Sequence, residues 1–332
     1  MALQRLNELA ADAVLFLVDD SAKLVGALTD GDIRRSLIEG KGLDRPLMDF
    51  IQSDPKVFQR SGYDLAQMQK WRALNYRIIP VVDKVGKIID VINFRSQRSY
   101  LPLDAVIMAG GLGSRLRPLT DNTPKPMLEV GGRPILEHNV LRLRAYGVTN
   151  LTISIKYLGE QIIDHFGDGS AYGMNIRYVT EDEPRGTIGA VSNVQQFHNP
   201  YLLVMNSDLL TTIDFEDMFA DFLEHEADMA VATVPYEVKI PYGVIETDGQ
   251  LVMGLHEKPT YTYYSNAGIY MLKQAHVGRI PTNSHYNAPD LMADLYGNGF
   301  RVTHFPIHGY WLDIGKHDDF AKAQRDIEHL NL

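Results

Sequence analysis

Two kinds of patterning divide this chain. Over its first hundred residues, brief helical patterns alternate with short apolar runs. Leu3, Leu6 and Leu9 recur at helical spacing, Val14 to Val18 and Lys23 to Leu28 read as strands, and Asp32 to Ile38 reads as a helix. The plan then repeats with a helix around Asp64 to Ala73, a strand from Arg77 to Val82, a turn at Gly86 and a strand from Lys87 to Val91. Aligning Leu17-Val18-Asp19 with Val81-Val82-Asp83 sets the halves 64 residues apart, a supersecondary repeat rather than a solenoid period. Arg95 to Leu103 has mixed polarity and includes Pro102, which suits a connector. The boundaries predicted are 1–98 for the repeated unit, 99–103 for a linker and 104–332 for a second domain.

The second domain opens on Ala105 to Ala109, an apolar run of the length of a buried parallel strand. Strands and helices then alternate: Leu151 to Ile155, a helix near Leu158 to Phe166, Asn175 to Val179, a helix near Thr187 to Phe197, and Tyr201 to Met205. That order predicts an α/β fold with a doubly wound, mostly parallel sheet, whose ligands bind outside the carboxyl ends of the strands. The repeated unit in front of it reads as a smaller α/β domain.

Composition narrows the class. The 332 residues exceed what one core usually fills, and 45% hydrophobic with 22% charged residues is ordinary for a globular protein. The absence of cysteine excludes disulfides, thiolate metal sites and cysteine nucleophiles, and fits a reducing cytoplasm. The early apolar run Ala13 to Val18 is too short for a membrane span and has no basic leader before it, so a soluble cytoplasmic protein without membrane contact is expected. A net charge of −10 argues against nucleic acid as a partner.

Against that acidity, one segment stands out. After Ala109 come Gly110, Gly111 and Gly113, which lack the Cβ atoms that keep a ligand from the backbone, so successive N–H groups can converge on an anion. Arg115, Arg117, Lys125 and Arg133 follow against Asp121 and Glu129, a local charge of +2. No Gly-Lys-Ser/Thr follows, which excludes a P-loop, and Gly-Gly-x-Gly-x-Arg is not the spacing of dinucleotide binders. The string Gly-Gly-x-Gly-x-Arg-x-x-Pro-x-Thr-x-x-x-Pro-Lys-Pro instead combines backbone donors, proline-fixed bends and two cations, a cradle for a polyphosphate. Downstream, Asp208 follows the strand Tyr201 to Met205, where a carboxylate is placed to hold Mg²⁺, a hard cation that bridges substrate phosphates. Asp313 likewise follows a strand-like segment, in Tyr310-Trp311-Leu312-Asp313.

These residues resemble the sugar-1-phosphate nucleotidyltransferase family over roughly residues 103–328. The resemblance implies that Gly110, Gly111, Gly113, Ser114, Arg115 and Lys125 bind a nucleoside triphosphate, with Ser114 where threonine is more usual. It implies that Asp208 and Asp313 share the metal. Glu181 to Ala190 resembles the family's Pro-Leu-Gly-Thr-Ala-Gly-Ala loop, which lies against the base: Gly186, Thr187, Gly189 and Ala190 match, while Arg185 and Ile188 depart. On the sugar side the matches are Tyr242-Gly243, Glu257-Lys258-Pro259 and Asn266-Ala267-Gly268. There Lys258 would neutralise the sugar phosphate and Glu257 would accept from sugar hydroxyls or an amine.

Residues 1–98 resemble a pair of cystathionine-β-synthase-type (CBS) domains, which often bind adenine nucleotides and regulate an attached enzyme. Thr29 and Asp32 stand where that family holds a ribose, whereas the second half offers Asn93 and Ser96 at the aligned positions. One adenine or guanine nucleotide, or an assembly role in a homo-oligomer, is the expectation. Taken together, the resemblances imply an enzyme that joins an NTP, GTP favoured, to glucosamine-1-phosphate or mannose-1-phosphate, releasing pyrophosphate. Thymidylyl or cytidylyl transfer to another hexose-1-phosphate, and a non-catalytic nucleotide-sensing subunit, are the alternatives.

Overall fold

The computed structural model describes residues 1–59 and 63–330 and separates into two compact units, Met1–Tyr100 and Leu101–Leu332. In the first unit α1 (Ala2–Leu9) leads into the antiparallel pair β1 (Val14–Val18) and β2 (Leu24–Thr29), followed by α2 (Asp30–Ile38). A three-stranded sheet of β3 (Phe58–Gln59), β4 (Ile78–Val82) and β5 (Ile88–Asn93) carries α3 (Leu65–Ala73) between its first two strands.

The 64-residue repeat is visible in hydrogen bonds. Asp19 Oδ1 accepts from the Ser21 and Lys23 N–H groups, and Asp83 Oδ1 accepts from those of Val85 and Lys87, all at 2.9 Å. The same aspartate turn therefore closes both hairpins, an Asx turn mimicking a backbone bend. A bridge between Lys23 and Lys87 joins the halves, and each half keeps its own small core, around Leu6 and Leu28 in one and Met68 and Ile79 in the other.

The division between the units falls within residues 99–103, where Ser99, Leu101 and Leu103 are buried and Leu103 is the first residue of a strand. That strand, β6 (Leu103–Ala109), leads through β7 (Glu129–Val130), β8 (Arg133–Pro134) and α4 (Ile135–Ala145) to β9 (Asn150–Ile155), α5 (Gly159–Phe166) and β10 (Asn175–Thr180). Then come β11 (Tyr201–Asn206), β12 (Leu209–Thr211), α6 (Phe215–Glu224), β13 (Met229–Lys239), β14 (Val244–Asp248), β15 (Leu251–His256) and β16 (Thr260–Lys273). The chain closes with α7 (Ala288–Gly297), β17 (Val302–Pro306), β18 (Trp311–Asp313) and α8 (His317–Asp326).

The central sheet has the order β10-β9-β6-β11-β16-β13-β17 and is parallel except where β16 runs against β11 and β13. From β6 the chain winds outward through β9 to β10, then returns to place β11 on the other side of β6. The order therefore reverses between β6 and β11, and the crevice at their carboxyl ends is where a doubly wound sheet binds ligands. Buried Asp104, at the opposite end of β6, fixes the return: it accepts from the backbone N–H of His198 and of Asn199 (3.2 Å), and from Asn199 Nδ2 (2.6 Å).

One expected helix is absent. Residues 187–197 form only a 3₁₀ turn, Gly189–Asn193. The N–H groups of Ile188 and Gly189 both go to the Tyr286 carbonyl, 3.2 and 3.1 Å away, and those of Val191 and Val194 reach only three residues back, to the Ile188 and Val191 carbonyls at 3.0 and 3.2 Å, so the turn is 3₁₀ rather than α.

Candidate active site

The crevice at the switch point is an open cavity of about 640 Å³. Its floor is the glycine loop. Gly113 has φ +62°, and a Cβ there would lie 2.9 Å from the Lys125 Cβ and 3.0 Å from the Thr120 Cγ2, so only glycine lets the loop close over those side chains. Thr120 Oγ1 donates to the Gly113 carbonyl at 2.9 Å and holds the turn. Gly110 is equally tight: a Cβ would meet Glu181 Oε1 at 2.8 Å. Ser114 and Arg115 continue as a 3₁₀ turn whose Leu116 is buried.

Leu116 is packed with Leu128, Val130, Ile135, Leu210, Ile314 and Ala323 in one apolar cluster. That cluster sits beneath three functional pieces, because Leu210 follows Asp208 by two positions and Ile314 follows Asp313. The short antiparallel pair β12–β18 sets Leu209 opposite Asp313, and the Ile314 N–H donates to the Asp208 carbonyl at 3.0 Å. Two aspartates 105 residues apart in sequence are thus fixed side by side, away from the central sheet but at its rim.

Between them stands Lys125, buried, on a turn flanked by Pro124 and Pro126. Its Nζ donates to Asp208 Oδ2 and lies 3.9 Å from Asp313 Oδ1. Asp208 Oδ1 and Asp313 Oδ1 are both buried without a hydrogen-bond partner. Burial pushes the Asp313 carboxyl above the usual carboxylate range, and the charge of Asp208 adds to this against the pull of Lys125 and Arg115. Two unsatisfied carboxylate oxygens beside the glycine loop have the chemistry that suits a hard divalent cation taking its remaining ligands from other oxygens and water. Among the described residues no group of three or more histidine, cysteine or acidic side chains forms a complete protein cage.

The opposite wall is the loop 183–189. Buried Glu181 accepts from Ser154 Oγ and, at 2.9 Å, from the Arg185 N–H. Gly186, with φ +75°, passes so close to the chain before α7 that a Cβ would lie 2.6 Å from the Tyr286 carbonyl oxygen. The Thr187 N–H donates to Asn287 Oδ1 (3.2 Å), and Thr187 Oγ1 accepts from the Ala288 N–H (2.9 Å) at the first turn of α7. The loop is therefore fastened to a helix a hundred residues away. Arg185, buried where the resembled family has leucine, donates through Nη1 to Asn283 Oδ1 at 2.8 Å.

The sugar-side residues divide. Gly268, with φ +71°, brings its turn against Asn206 on the cavity wall: a Cβ would lie 2.5 Å from Asn206 Nδ2. The Asn266 Oδ1 accepts from the Gly268 N–H at 2.9 Å, and Trp311 Nε1 donates to the Ala267 carbonyl at 3.0 Å, joining this turn to the strand of Asp313. Tyr242, Gly243, Glu257 and Lys258 instead lie at the ends of the exposed hairpin β14–β15 and do not line the cavity. Sequence reasoning gave no role to Lys156, Asn206, His285 or Asn287. The first three line the cavity and Asn287 secures its loop. Two signals were available: Asn206 ends the buried strand β11, and Asn287-Ala-Pro-Asp290 starts a helix with a capping box around a proline in the first turn.

In the first unit, Thr29 caps α2 and forms a closed pair with Asp32. The Thr29 hydroxyl donates to Asp32 Oδ2 at 2.6 Å, and its N–H donates to the same oxygen at 2.8 Å, while Arg35 holds Oδ1.

Residues 104–329 match the family model described as nucleotidyl transferase. The chain belongs to that family. Over 234 residues it is 33% identical to a mannose-1-phosphate guanylyltransferase of Mycobacterium tuberculosis, covering 68% of this chain and 64% of that protein. It therefore spans less than two thirds of that relative. Over 229 residues it is 28% identical to the D-glycero-alpha-D-manno-heptose 1-phosphate guanylyltransferase of Aneurinibacillus thermoaerophilus, covering 68% of this chain and 99% of that one. The solved structure of HddC from Yersinia pseudotuberculosis superposes with a TM-score of 0.53 at 27% identity, over 68% of this chain and 99% of that chain, and HddC has also been solved complexed with GMP-PN. The family match falls within the second unit, and no helix among the described residues is long and apolar enough to cross a membrane.

Proposed function

We propose that this nucleotidyl transferase joins a nucleoside triphosphate to a sugar-1-phosphate, releasing pyrophosphate. The observation that carries the reading is the Asp208–Asp313 pair, with its unsatisfied inward oxygens, set against Lys125 and the glycine loop at the switch point. A sugar phosphate oxygen attacks the α-phosphorus, a P–O bond forms, and the bond to the β-phosphate bridging oxygen breaks. No protein base is needed, because a phosphate monoester is already largely dianionic near neutral pH. The obstacle is charge, so position and cations supply the catalysis. The amides of Gly110, Gly111 and Gly113, with Ser114 and Arg115, receive the departing phosphates. Lys125 serves the α-phosphate, while Lys258 meets the sugar phosphate if the hairpin carrying it folds over the cavity. Tyr242, Gly243, Glu257, Asn266 and Gly268 complete the sugar subsite in that arrangement. Mg²⁺ held by Asp208 and Asp313 would neutralise the triphosphate and the leaving pyrophosphate.

We favour GTP with glucosamine-1-phosphate or mannose-1-phosphate, on the strength of the guanylyltransferases among the relatives. The base would lie against Gly186 and Thr187. Incubation with each NTP, a panel of sugar-1-phosphates and Mg²⁺, following pyrophosphate, tests class and substrates together. Release with UTP, dTTP or CTP would shift the base, and no release in any combination would favour a nucleotide-sensing subunit. Asp208→Ala should abolish turnover with the fold retained, and a normal rate at saturating substrate would reject the metal assignment.

For the first unit we propose a CBS-type regulatory role, in which a purine nucleotide displaces the Thr29–Asp32 pair. Calorimetric titration of AMP, ATP and GTP into the full chain and into Asp32→Ala tests this, with equal heats in both proteins as the contrary result. A homo-oligomer is supported by the outer halves of β13 and β16. Tyr236 pairs with Tyr263 and Val238 with Tyr261 on one exposed face, an apolar ladder suited to a second copy. Light scattering on Tyr263→Lys against the parent chain is the check.

A further inference from the structure

We infer that Lys125 is an internal counter-ion for the metal-site carboxylates, and that it leaves them only when a phosphate is present to receive it. The inference rests on the nucleotidyltransferase reading and adds an order to its binding steps. Its basis is the placement of one cation against two anions. Lys125 is buried to 8% exposure, and its stem is gripped by Gly113, whose missing Cβ leaves the only room for it. From there the ammonium holds Asp208 Oδ2 and approaches Asp313 Oδ1. Asp208 Oδ1 and Asp313 Oδ1 are buried without a hydrogen-bond partner, the latter having only the ammonium's charge 3.9 Å away.

Lys125 set against the two carboxylates leaves that trio at −1, and Arg115 acts on Asp313 more weakly than Lys125 does, so the trio is stable enough to persist yet still attracts a cation. A divalent ion arriving alone must compete for Asp208 with an ammonium tethered in place. It must also tolerate that ammonium as a like-charged neighbour in a partly buried site, where such repulsion is poorly screened. A triphosphate removes both obstacles, because its oxygens accept Lys125 and supply the ion's further ligands. Binding of metal and nucleotide is then mutually reinforcing, a coupling that by linkage acts equally in both directions. The arrangement keeps free divalent ions off the empty site and makes the metal–triphosphate complex the species that binds.

The test needs no turnover. Mn²⁺ binding to the nucleotide-free protein is measured by electron paramagnetic resonance, with Asp208→Asn identifying binding to this site. Lys125→Met is expected to bind Mn²⁺ about tenfold more tightly than the parent chain, within the usual range of coupling between sites, and Lys125→Arg is expected to stay near the parent. Should Lys125→Met not fold, Lys125→Gln keeps a hydrogen-bond donor without the charge and carries the same expectation. Equal or weaker Mn²⁺ affinity in the folded neutral variant would overturn the inference. Because no nucleotide or sugar is used, this outcome is separate from the pyrophosphate assay: a negative there with tightened Mn²⁺ binding here would sink the reaction and leave the counter-ion standing.

Discussion

Replacing Gly113 by alanine should injure the site and the stability of the second unit together. At φ +62° an alanine sits in the left-handed region, at a cost of about 1–2 kcal/mol. Its Cβ would stand 2.9 Å from the Lys125 Cβ and 3.0 Å from the Thr120 Cγ2, closer than either side chain tolerates. Neither neighbour can swing aside freely, since Lys125 is buried between aspartates and Thr120 is bonded to the Gly113 carbonyl. Overpacking of this kind costs about 1–3 kcal/mol. The sum, about 2–5 kcal/mol, corresponds to a drop of about 5–15 °C in the melting of a unit this size. Because Lys125 is the group displaced, kcat/KM should fall by about a hundredfold. Gly111→Ala is the internal control: its φ is not positive and no atom lies within 4 Å of the new Cβ, so its melting temperature should stay near that of the parent. Differential scanning calorimetry of both variants decides the matter. If Gly113→Ala and Gly111→Ala melt together, the steric account of the loop is wrong.

Further outcomes follow from other contacts. Asp228 joins the starts of β13 and β17 to the end of β16, accepting from the Arg301 N–H (2.9 Å), Lys273 Nζ (3.0 Å) and His276 (3.0 Å). Burial alone would raise its carboxyl, but these donors outweigh it and hold the pKa down to about 2. A depressed carboxylate stabilises the fold above its unfolded value of about 4 and loses that contribution as pH falls toward about 2. Asp228→Asn should therefore melt below the parent at pH 7, and the gap should close as melting is followed from pH 5 down toward pH 2. Thr187→Val removes the acceptor for the Ala288 N–H, and a lost cap of this kind costs about 1 kcal/mol. It should also raise KM for the nucleotide more than it lowers kcat, and an unchanged KM would detach the loop from nucleotide binding. Trp311→Phe loses the bond to the Ala267 carbonyl. It should lower kcat with little change in melting temperature, and a large melting shift with normal kcat would mark Trp311 as a packing residue alone.

Much of this fold could be read from local pattern. The strands β6 and β11 carry continuous apolar runs, β9 and β10 alternate apolar with polar positions, and the alternation of these strands with helices is enough to place a crevice at the carboxyl ends. Asp208 was legible for the same reason, standing just past a buried strand. What local pattern could not give was partnership across the chain. Thr187 to Phe197 has helical composition, but it closes only 3₁₀ bonds and is anchored to the Tyr286 carbonyl, and nothing near residue 187 announces residue 286. Asp313 does end a strand, as its strand-like segment suggested, but local pattern could not say that this strand pairs with β12 apart from the central sheet. The sugar-side motifs are set on different supports, since Gly268 is pinned to Asn206 while Gly243 and Glu257 meet at the base of a hairpin whose apolar residues Leu251, Val252, Met253 and Leu255 are exposed.

The single hydrogen bond from Trp311 to the Ala267 carbonyl has a meaning for how such an enzyme could change. It ties the turn of Asn266 and Gly268, a candidate for choosing the sugar, to the strand that carries Asp313. Under the proposed function, substitutions that widen this turn for a bulkier sugar will drag on the Asp313 carboxylate, so new specificity arrives with a slower reaction. Variants selected for an altered sugar should accordingly accumulate compensating changes around Trp311 and β12, well away from the sugar itself.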